Sequence, residues 1–530
     1  MSREVFGGYE KIATAPVETQ NGLVTGLWNQ DKTVRAFAGI PFAKPPVKDL
    51  RWRAPKPVAN WEGTYIADRF PKAPIQNLAN IGTMGEITVE DEIDEDCLYL
   101  NIWTQQEDET EKKPVIVYIF PGGFTTGSSA CAMFDGENMA KKGVVYVTIN
   151  YRLDIFGFFA HPQLRKEMGQ QASSNFGLLD QLEALRWIKK NISAFGGDPE
   201  CVTIAGTSAG GKSVNIFACS PLAKGLFHRG IAESGVCFGE PGAAPASMHM
   251  IRSMEYGESL GEEFTDNIGK SICELREMPA LELLELAKKA NHQMCRPFID
   301  GYVLPFSVHE IYEQGKQNNI PLMIGNCAGE AGLLWKNSEK WIQRYDAEAQ
   351  VERMKTVFGA QSETYFELYP ENSPQEALQS FIDYFTDHAY TWQMREWGKL
   401  HVWSPVSTSP IYLYHFARVP SDSPLEVKKL MAHHCSEIAY AYNNLQYSKK
   451  IYNEWDQKLS DMMSSYWVHF AKNGNPNADM LPQWEEFSKD EKFMCFGDDV
   501  QMVQTPNREQ MLFFDAYEKS LRQKNRIPVS

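Results

Sequence analysis

Residues 201–213, "CVTIAGTSAGGKS", constrain this chain more than any other stretch. The run "CVTIA" is β-branched and apolar, which suits a buried strand. Gly206-Thr207-Ser208-Ala209-Gly210 then sets one seryl hydroxyl among glycines before the pattern turns helical. A strand that reverses into a helix over so few residues needs a strained turn with close neighbours, where a Cβ would clash. This is the G-x-S-x-G pattern in the strand–turn–helix setting that exposes a nucleophilic hydroxyl. The same residues also suit a plain turn, so the question is whether the other parts of a catalytic apparatus are present.

The segments around it define the fold class. "KPVIVYIF" (113–120) and "VVYVTINY" (144–151) are too apolar for a half-exposed sheet and suit central strands covered on both faces. "NFGLLDQLEALRWIKKNISAFGG" (175–197) has apolar residues at helical spacing and ends in Gly-Gly, a stop signal. "RGIAESG" (229–235), "IPLMIGN" (320–326) and "SPIYLYHFA" (409–417) are further strands, and "GLVTGLW" with "VRAFAGIPFA" forms a hairpin-like entry. Strands alternating with helices predict an α/β protein with a large, mostly parallel sheet covered by helices. Two stretches, about 241–291 and 331–403, read as helical insertions. With no repeat, low-complexity tract or Gly/Ser linker, residues 1–530 are expected to form one domain.

A net charge of −16 argues against nucleic acid and against an anionic membrane surface as partners. No run approaches the ~18 apolar residues of a membrane span, and the N-terminus lacks a signal-peptide core. The ten cysteines are scattered, without CxxC pairs or metal-like clusters with histidine. They read as small buried hydrophobes in a reducing, cytoplasmic compartment. His433-His434 beside Cys435 is too local to converge on one ion, so no metal or other cofactor is expected.

A serine that attacks carbonyls needs a histidine to take its proton, a carboxylate to orient that histidine, and N–H groups for the oxyanion. With a strand–turn–helix serine these follow in the order serine, acid, histidine. Glu330 lies a few residues past the strand at 320–326, inside a Gly-bounded turn, although a lone glutamate is ordinarily a solvated surface group. The histidines that follow the strand at 409–417 are His433 and His434. Gly122 and Gly123, after "PVIVYIF", could supply oxyanion donors or simply end a strand.

Taken together, these blocks resemble the type-B carboxylesterase/cholinesterase family of α/β-hydrolases, in its bacterial-type carboxylesterase form. The resemblance covers most of the chain: "FAGIPFAKPPVKDLRWRAPKPVANWEG", "DEDCLYLNIW", "NYRLDIFGFF", the long block ending in "GTSAGG", "FIDGYVLP", the Glu330 turn, the His434 segment and "FAKNGNPN". It implies an α/β-hydrolase fold, Ser208 as nucleophile, Glu330 as acid and His434 as base. His434 rather than His433 has the family's H-x-x-[D/E]-[I/L] spacing to Glu437 and Ile438. The implied oxyanion hole uses the N–H groups of Gly122, Gly123 and Ala209, and Arg51 with Glu95 matches a structural ion pair.

The departures from the family pattern bear on substrate. The usual H-G-G-G-F is Phe120-Pro121-Gly122-Gly123-Phe124, and Pro121 has no N–H. The usual glutamate before the nucleophile is Thr207, which implies the loss of a buried charge near the site. A tryptophan of choline-binding relatives falls at Ile87, so a cholinesterase role is not expected. Cys97 lacks its customary partner, and Cys273 stands apart from Cys237 and Cys295, which implies that two customary disulfides are missing. The implied activity is hydrolysis of small to medium esters, aromatic (hydroxycinnamoyl-type) ones among the candidates, through an acyl-enzyme. Alternatives are a catalytically inactive binding or adhesion module and an amidase or carbamate hydrolase. Aromatic and thioether residues of the insertions, among them Phe238, Met248, Met250, Trp335, Trp341, Phe358, Tyr365, Tyr384, Tyr390 and Trp392, are mostly core by their spacing, with a few left to line a pocket. Apart from a small-molecule ester no partner is implied, and the oligomeric state is not legible.

Overall fold

In a computed structural model, the β-branched runs occupy the middle of a twelve-stranded sheet. The structure describes residues 5–6, 10–79, 88–89, 92–105, 112–169, 174–239, 251–290, 292, 296–422, 424 and 428–525. In chain order the strands are β1 (Ile12–Ala13), β2 (Leu27–Trp28), β3 (Val34–Pro41), β4 (Tyr99–Gln105), β5 (Lys113–Ile119), β6 (Val145–Ile149), β7 (Gly197–Thr207), β8 (Arg229–Glu233), β9 (Leu322–Cys327), β10 (Ile411–Phe416), β11 (Lys492–Phe496) and β12 (Val500–Gln504). Across the sheet they lie in the order β1-β2-β3-β4-β6-β5-β7-β8-β9-β10-β11-β12. The pairings from β6–β5 through β10–β11 are parallel. Those from β1 to β4, the β4–β6 contact and β11–β12 are antiparallel.

Every residue of β5, β6 and β9 is buried, as a sheet covered on both faces requires. One of the covering helices is α1 (Phe176–Asn191), which tightens into a 3-10 turn (Ile192–Phe195) and stops at Gly196. Gly196 has φ 83° and donates its N–H to the carbonyls of Ile192 and Ser193, a left-handed ending natural to glycine. β7 begins at the next residue.

The insertions differ in detail from expectation. Helices Met254–Ile268, Ile272–Glu277 and Ala280–Lys289 fill the described part of the first. Ile87, Met248, Met250 and Cys295 lie outside the described residues. In the second, Glu330–Asn337 is a 3-10 helix, and a π-helical stretch (Asp387–Thr391) joins helices Pro374–Thr386 and Trp392–Trp403. Phe358, Tyr365, Tyr384 and Trp392 pack with Met511, Phe514 and Tyr517 of the late helix Arg508–Asn525 in a second apolar core. Trp335, Trp341 and Phe385 pack on Leu378 and Ile382. Phe238 stacks near Tyr312 and Trp397. Most candidate wall residues are therefore structural. Arg51 and Glu95 form a buried two-bond ion pair, Nε–Oε1 2.7 Å and Nη2–Oε2 2.6 Å. Among the described residues no helix is long and apolar enough to cross a membrane.

Candidate active site

Parallel strands deliver their C-terminal ends to one edge of the sheet, where ligands of open α/β folds bind. At that edge β7 ends at Thr207, and the helix α2 (Ala209–Cys219) starts one residue after Ser208. Ser208 sits at φ 57°, ψ −113°, a conformation that costs a non-glycine residue about 1–3 kcal/mol. Two contacts hold it there: its N–H donates to the Glu233 carbonyl at 2.7 Å, and its carbonyl accepts from Lys212 N–H at 2.9 Å. The flanking glycines are steric necessities. A Cβ on Gly206 would meet the Gly210 carbonyl carbon at 2.6 Å, and one on Gly210 would meet the Ile119 carbonyl oxygen at 1.9 Å. The second contact presses the first turn of α2 onto the end of β5. Within this tight wall Ser208 remains half-buried and open to water.

β5 runs directly into Phe120-Pro121-Gly122-Gly123. Gly122 (φ 131°) and Gly123 (φ 62°) adopt backbone that side chains disfavour, and a Cβ on Gly122 would lie 1.8 Å from the Thr126 carbonyl oxygen. The Gln76 amide braces the loop, accepting from Gly127 N–H and donating to the Gly127 carbonyl, both at 2.8 Å. Among the described residues the N–H groups of Gly122, Gly123 and Ala209 donate to no protein acceptor.

The other side of the site comes from β8, β9 and β10. Glu330 follows β9, and its side chain is fully buried. His434 follows β10, and its Nδ1 lies 2.5 Å from Glu330 Oε2. Glu330 Oε1 accepts from Ser234 Oγ at 2.6 Å and from Cys327 N–H at 2.8 Å. Burial opposes protonation of His434, yet Cys435, Tyr390 and Glu330 outweigh it and the imidazole pKa is raised well above its usual value. Cys435 and Tyr390 are themselves held neutral by burial, so the Glu330 carboxylate is the anion that stabilises imidazolium. His433, its neighbour, turns inward, donates Nδ1–H to the His434 carbonyl at 2.9 Å, and is pushed down to about 3 by burial. The structure thus brings Glu330 to His434 and not to His433.

Two further carboxyls lie behind this pair, and neither stood out as functional in the sequence. Glu437 is fully buried, accepts from Ser234 Oγ at 3.2 Å and from Cys327 Sγ at 2.9 Å, and is raised to about 7 by burial and by Glu330. Glu233, the last residue of β8, accepts from Thr207 Oγ1, from Tyr442 at 3.0 Å and from Trp467 Nε1 at 2.7 Å. Thr207 itself carries no carboxyl, yet one stands buried beside it. The acid stands at 233, on the neighbouring strand, and the Thr207 hydroxyl donates to it. Burial raises its pKa against three hydrogen bonds that lower it. The signal was the "AESG" at the end of the strand, which carries both Glu233 and Ser234.

Comparison with known proteins shows the family. The family model described as the carboxylesterase family matches residues 13–514. Fumonisin B1 esterase of Sphingopyxis macrogoltabida is 33% identical over 503 residues, covering 91% of this chain and 86% of that protein. Carboxylesterase 1F of Mus musculus is 31% identical over 535 residues, covering 94% and 93%. Among solved structures, a PNB esterase superposes with a TM-score of 0.80 at 28% identity, covering 94% of this chain and 99% of that one. A Geobacillus stearothermophilus carboxylesterase gives 0.79 at 29%, covering 94% and 100%. The fold is that of the α/β-hydrolase esterases. The chain belongs to the carboxylesterase family, whose members are serine carboxylic ester hydrolases, and it is an enzyme of that class.

Proposed function

We propose that the chain hydrolyses carboxylic esters through an acyl-enzyme formed on Ser208. The observation that carries this reading is the Glu330–His434 pair at 2.5 Å, at the same sheet edge as a strained, water-reached Ser208. With Glu330 on Nδ1, the Nε2 of His434 takes the Ser208 proton as Oγ attacks the carbonyl. The same nitrogen then protonates the departing alcohol. The N–H groups of Gly122, Gly123 and Ala209 are the donors for the developing oxyanion, each supplying about 3 kcal/mol. Water attacks the acyl-enzyme next, with His434 again as base and Ser208 as the leaving group. Pro121 stiffens the donor loop without removing a donor, because it precedes both glycines.

Small to medium esters, including aromatic ones of the hydroxycinnamoyl type, fit the aromatic face that Tyr390 offers, its ring centroid 5.3 Å from the His434 imidazole. The whole chain acts as one α/β-hydrolase unit, its late helix packed on the second insertion. The free thiols of Cys97 and Cys273 support a reducing, cytoplasmic setting. The test is steady-state turnover of p-nitrophenyl butyrate against its matched anilide, followed by aryl and hydroxycinnamoyl esters. Ester turnover far above anilide turnover is expected. A folded protein inert to all of them contradicts the reading.

A further inference from the structure

The helical stretch from Pro374 to Trp403 carries one irregularity, the π-helical turn Asp387–Thr391. Such turns insert a residue into an α-helix, are rare, and recur at functional sites. The extra residue rotates the downstream helix by about 100° against the upstream one. Upstream, Leu378 and Ile382 are buried with Ala331, the neighbour of Glu330, and downstream Met394 and Trp397 are buried in the main core.

Every residue of the turn is buried, and side-chain bonds fasten it on several sides. Asp387 accepts from the Tyr369 hydroxyl at 2.9 Å and from Asn507 Nδ2 at 2.8 Å. His388 Nε2 lies 2.8 Å from Glu518 Oε1, and its ring stacks on Phe514, with 4.3 Å between centroids and 8° between planes. The Ala389 carbonyl accepts from Gln393 Nε2 at 3.1 Å, and Thr391 Oγ1 accepts from Asn326 Nδ2, on β9, at 3.0 Å. Between these fastenings Tyr390 turns its ring to the His434 imidazole, 5.3 Å away between centroids. Phe514 and Glu518, four residues apart, share one face of the late helix, and Asn507 directly precedes that helix. The late helix is therefore one of the supports of the turn.

A general base must hold its reactive nitrogen on target. Glu330 fixes Nδ1 of His434, but an imidazole bonded through one nitrogen can still rock about that bond. An aromatic ring packed against it limits the motion. A misplacement of about 1 Å, caused far from the chemistry, can cost about a hundredfold in rate.

We propose that Glu518 and Asn507 are positioning residues for the ester hydrolysis: by holding the π turn they hold Tyr390 against His434 and keep Nε2 aimed at Ser208. Glu518 is fully buried and acts through His388, the turn and Tyr390, and each link is a direct contact. Tyr390 thus serves the imidazole as well as a substrate ring. The inference rests on the ester-hydrolase reading with His434 as base.

The experiment measures kcat and KM for p-nitrophenyl butyrate in Tyr390→Leu, Glu518→Leu and the double variant, each checked for folding by circular dichroism and thermal melting. Each single variant is expected to lose roughly tenfold to a hundredfold in kcat with KM little changed. The double variant is expected to lose no more than the worse single one, since both break the same chain of contacts. Tyr390→Phe, which keeps the ring, and Glu518→Gln, which keeps an acceptor for His388, are expected to retain most of the rate. Losses that multiply in the double variant, a folded Glu518→Leu with wild-type kcat, or a change confined to KM overturns the proposal. Glu518→Leu leaves His388 buried without its partner, so Asn507→Gly replaces it if that variant does not fold. Glycine suits the φ of 48° at this exposed position and removes only the amide that donates to Asp387. A severalfold fall in kcat at unchanged KM is then expected, and wild-type kcat overturns the proposal. Absence of butyrate turnover in the wild type defeats the ester-hydrolase reading, whereas turnover indifferent to these variants defeats only this one.

Discussion

Ser208 is positioned by backbone: the β7 terminus, two glycines that no side chain could replace, the first turn of α2, and the one outside contact of its N–H with the Glu233 carbonyl. The Glu330–His434 pair is positioned by residues from three other strand ends, with Ser234 after β8, Cys327 at the end of β9 and Glu437 in the segment after β10. One side of the site is a local backbone device, and the other is a buried polar network assembled by the sheet. A local device fails through steric strain and then takes the nucleophile with it. A network fails through charge, because each carboxyl in it depends on its donors and on its neighbour's protonation.

The comparison breaks first at the nucleophile itself. Ser208→Ala leaves the backbone intact and removes the only atom that can be acylated, so kcat should fall roughly a millionfold while the melting temperature stays within a few degrees. On the network side, Glu330→Gln should lower kcat roughly ten-thousandfold. That variant also carries a pH signature. His434 must be neutral to act as base, and the Glu330 anion raises its pKa, so wild-type kcat/KM falls as pH drops through that raised value. With the anion gone, the acid limb of the residual activity should move to lower pH, which a pH–rate profile reads directly.

Smaller effects separate strain from charge. Gly210→Ala drives a Cβ into the Ile119 carbonyl and should cost about 3 kcal/mol in urea unfolding, with activity lost in proportion to the displaced elbow. Glu437→Gln should act in the opposite direction and only above acidic pH. Its carboxyl, raised from 4.5 to about 7, binds its proton more tightly in the folded chain than in the unfolded one. It therefore contributes stability that is complete below pH 4.5 and lost as pH rises through 7. The amide has no such loss, so the melting temperature of the variant minus that of the wild type should grow between those pH values and then level off.

The same contrast explains what could be read without coordinates. The elbow, the strands at 113–119 and 145–149 and the helix ending at Gly196 are short-range patterns of glycine, β-branching and helical spacing. Glu330 and His434 followed from chain order and family resemblance, and the 2.5 Å contact has brought them together. Ser234, Cys327 and the buried state of Glu437 were not legible, because a serine, a cysteine and a glutamate acquire these roles only when β8, β9 and β10 lie side by side. The carboxyl beside Thr207 is hidden in the sequence for the same reason: Glu233 reaches it from the next strand, 26 residues on.

The most direct test of the account is to inactivate the protein with a fluorophosphonate and map the adduct by peptide mass spectrometry. One equivalent on the peptide containing Ser208, formed in the wild type and absent in Ser208→Ala, with esterase activity lost in step, is the predicted result. An adduct at another residue, or ester turnover that survives complete modification of Ser208, would contradict it.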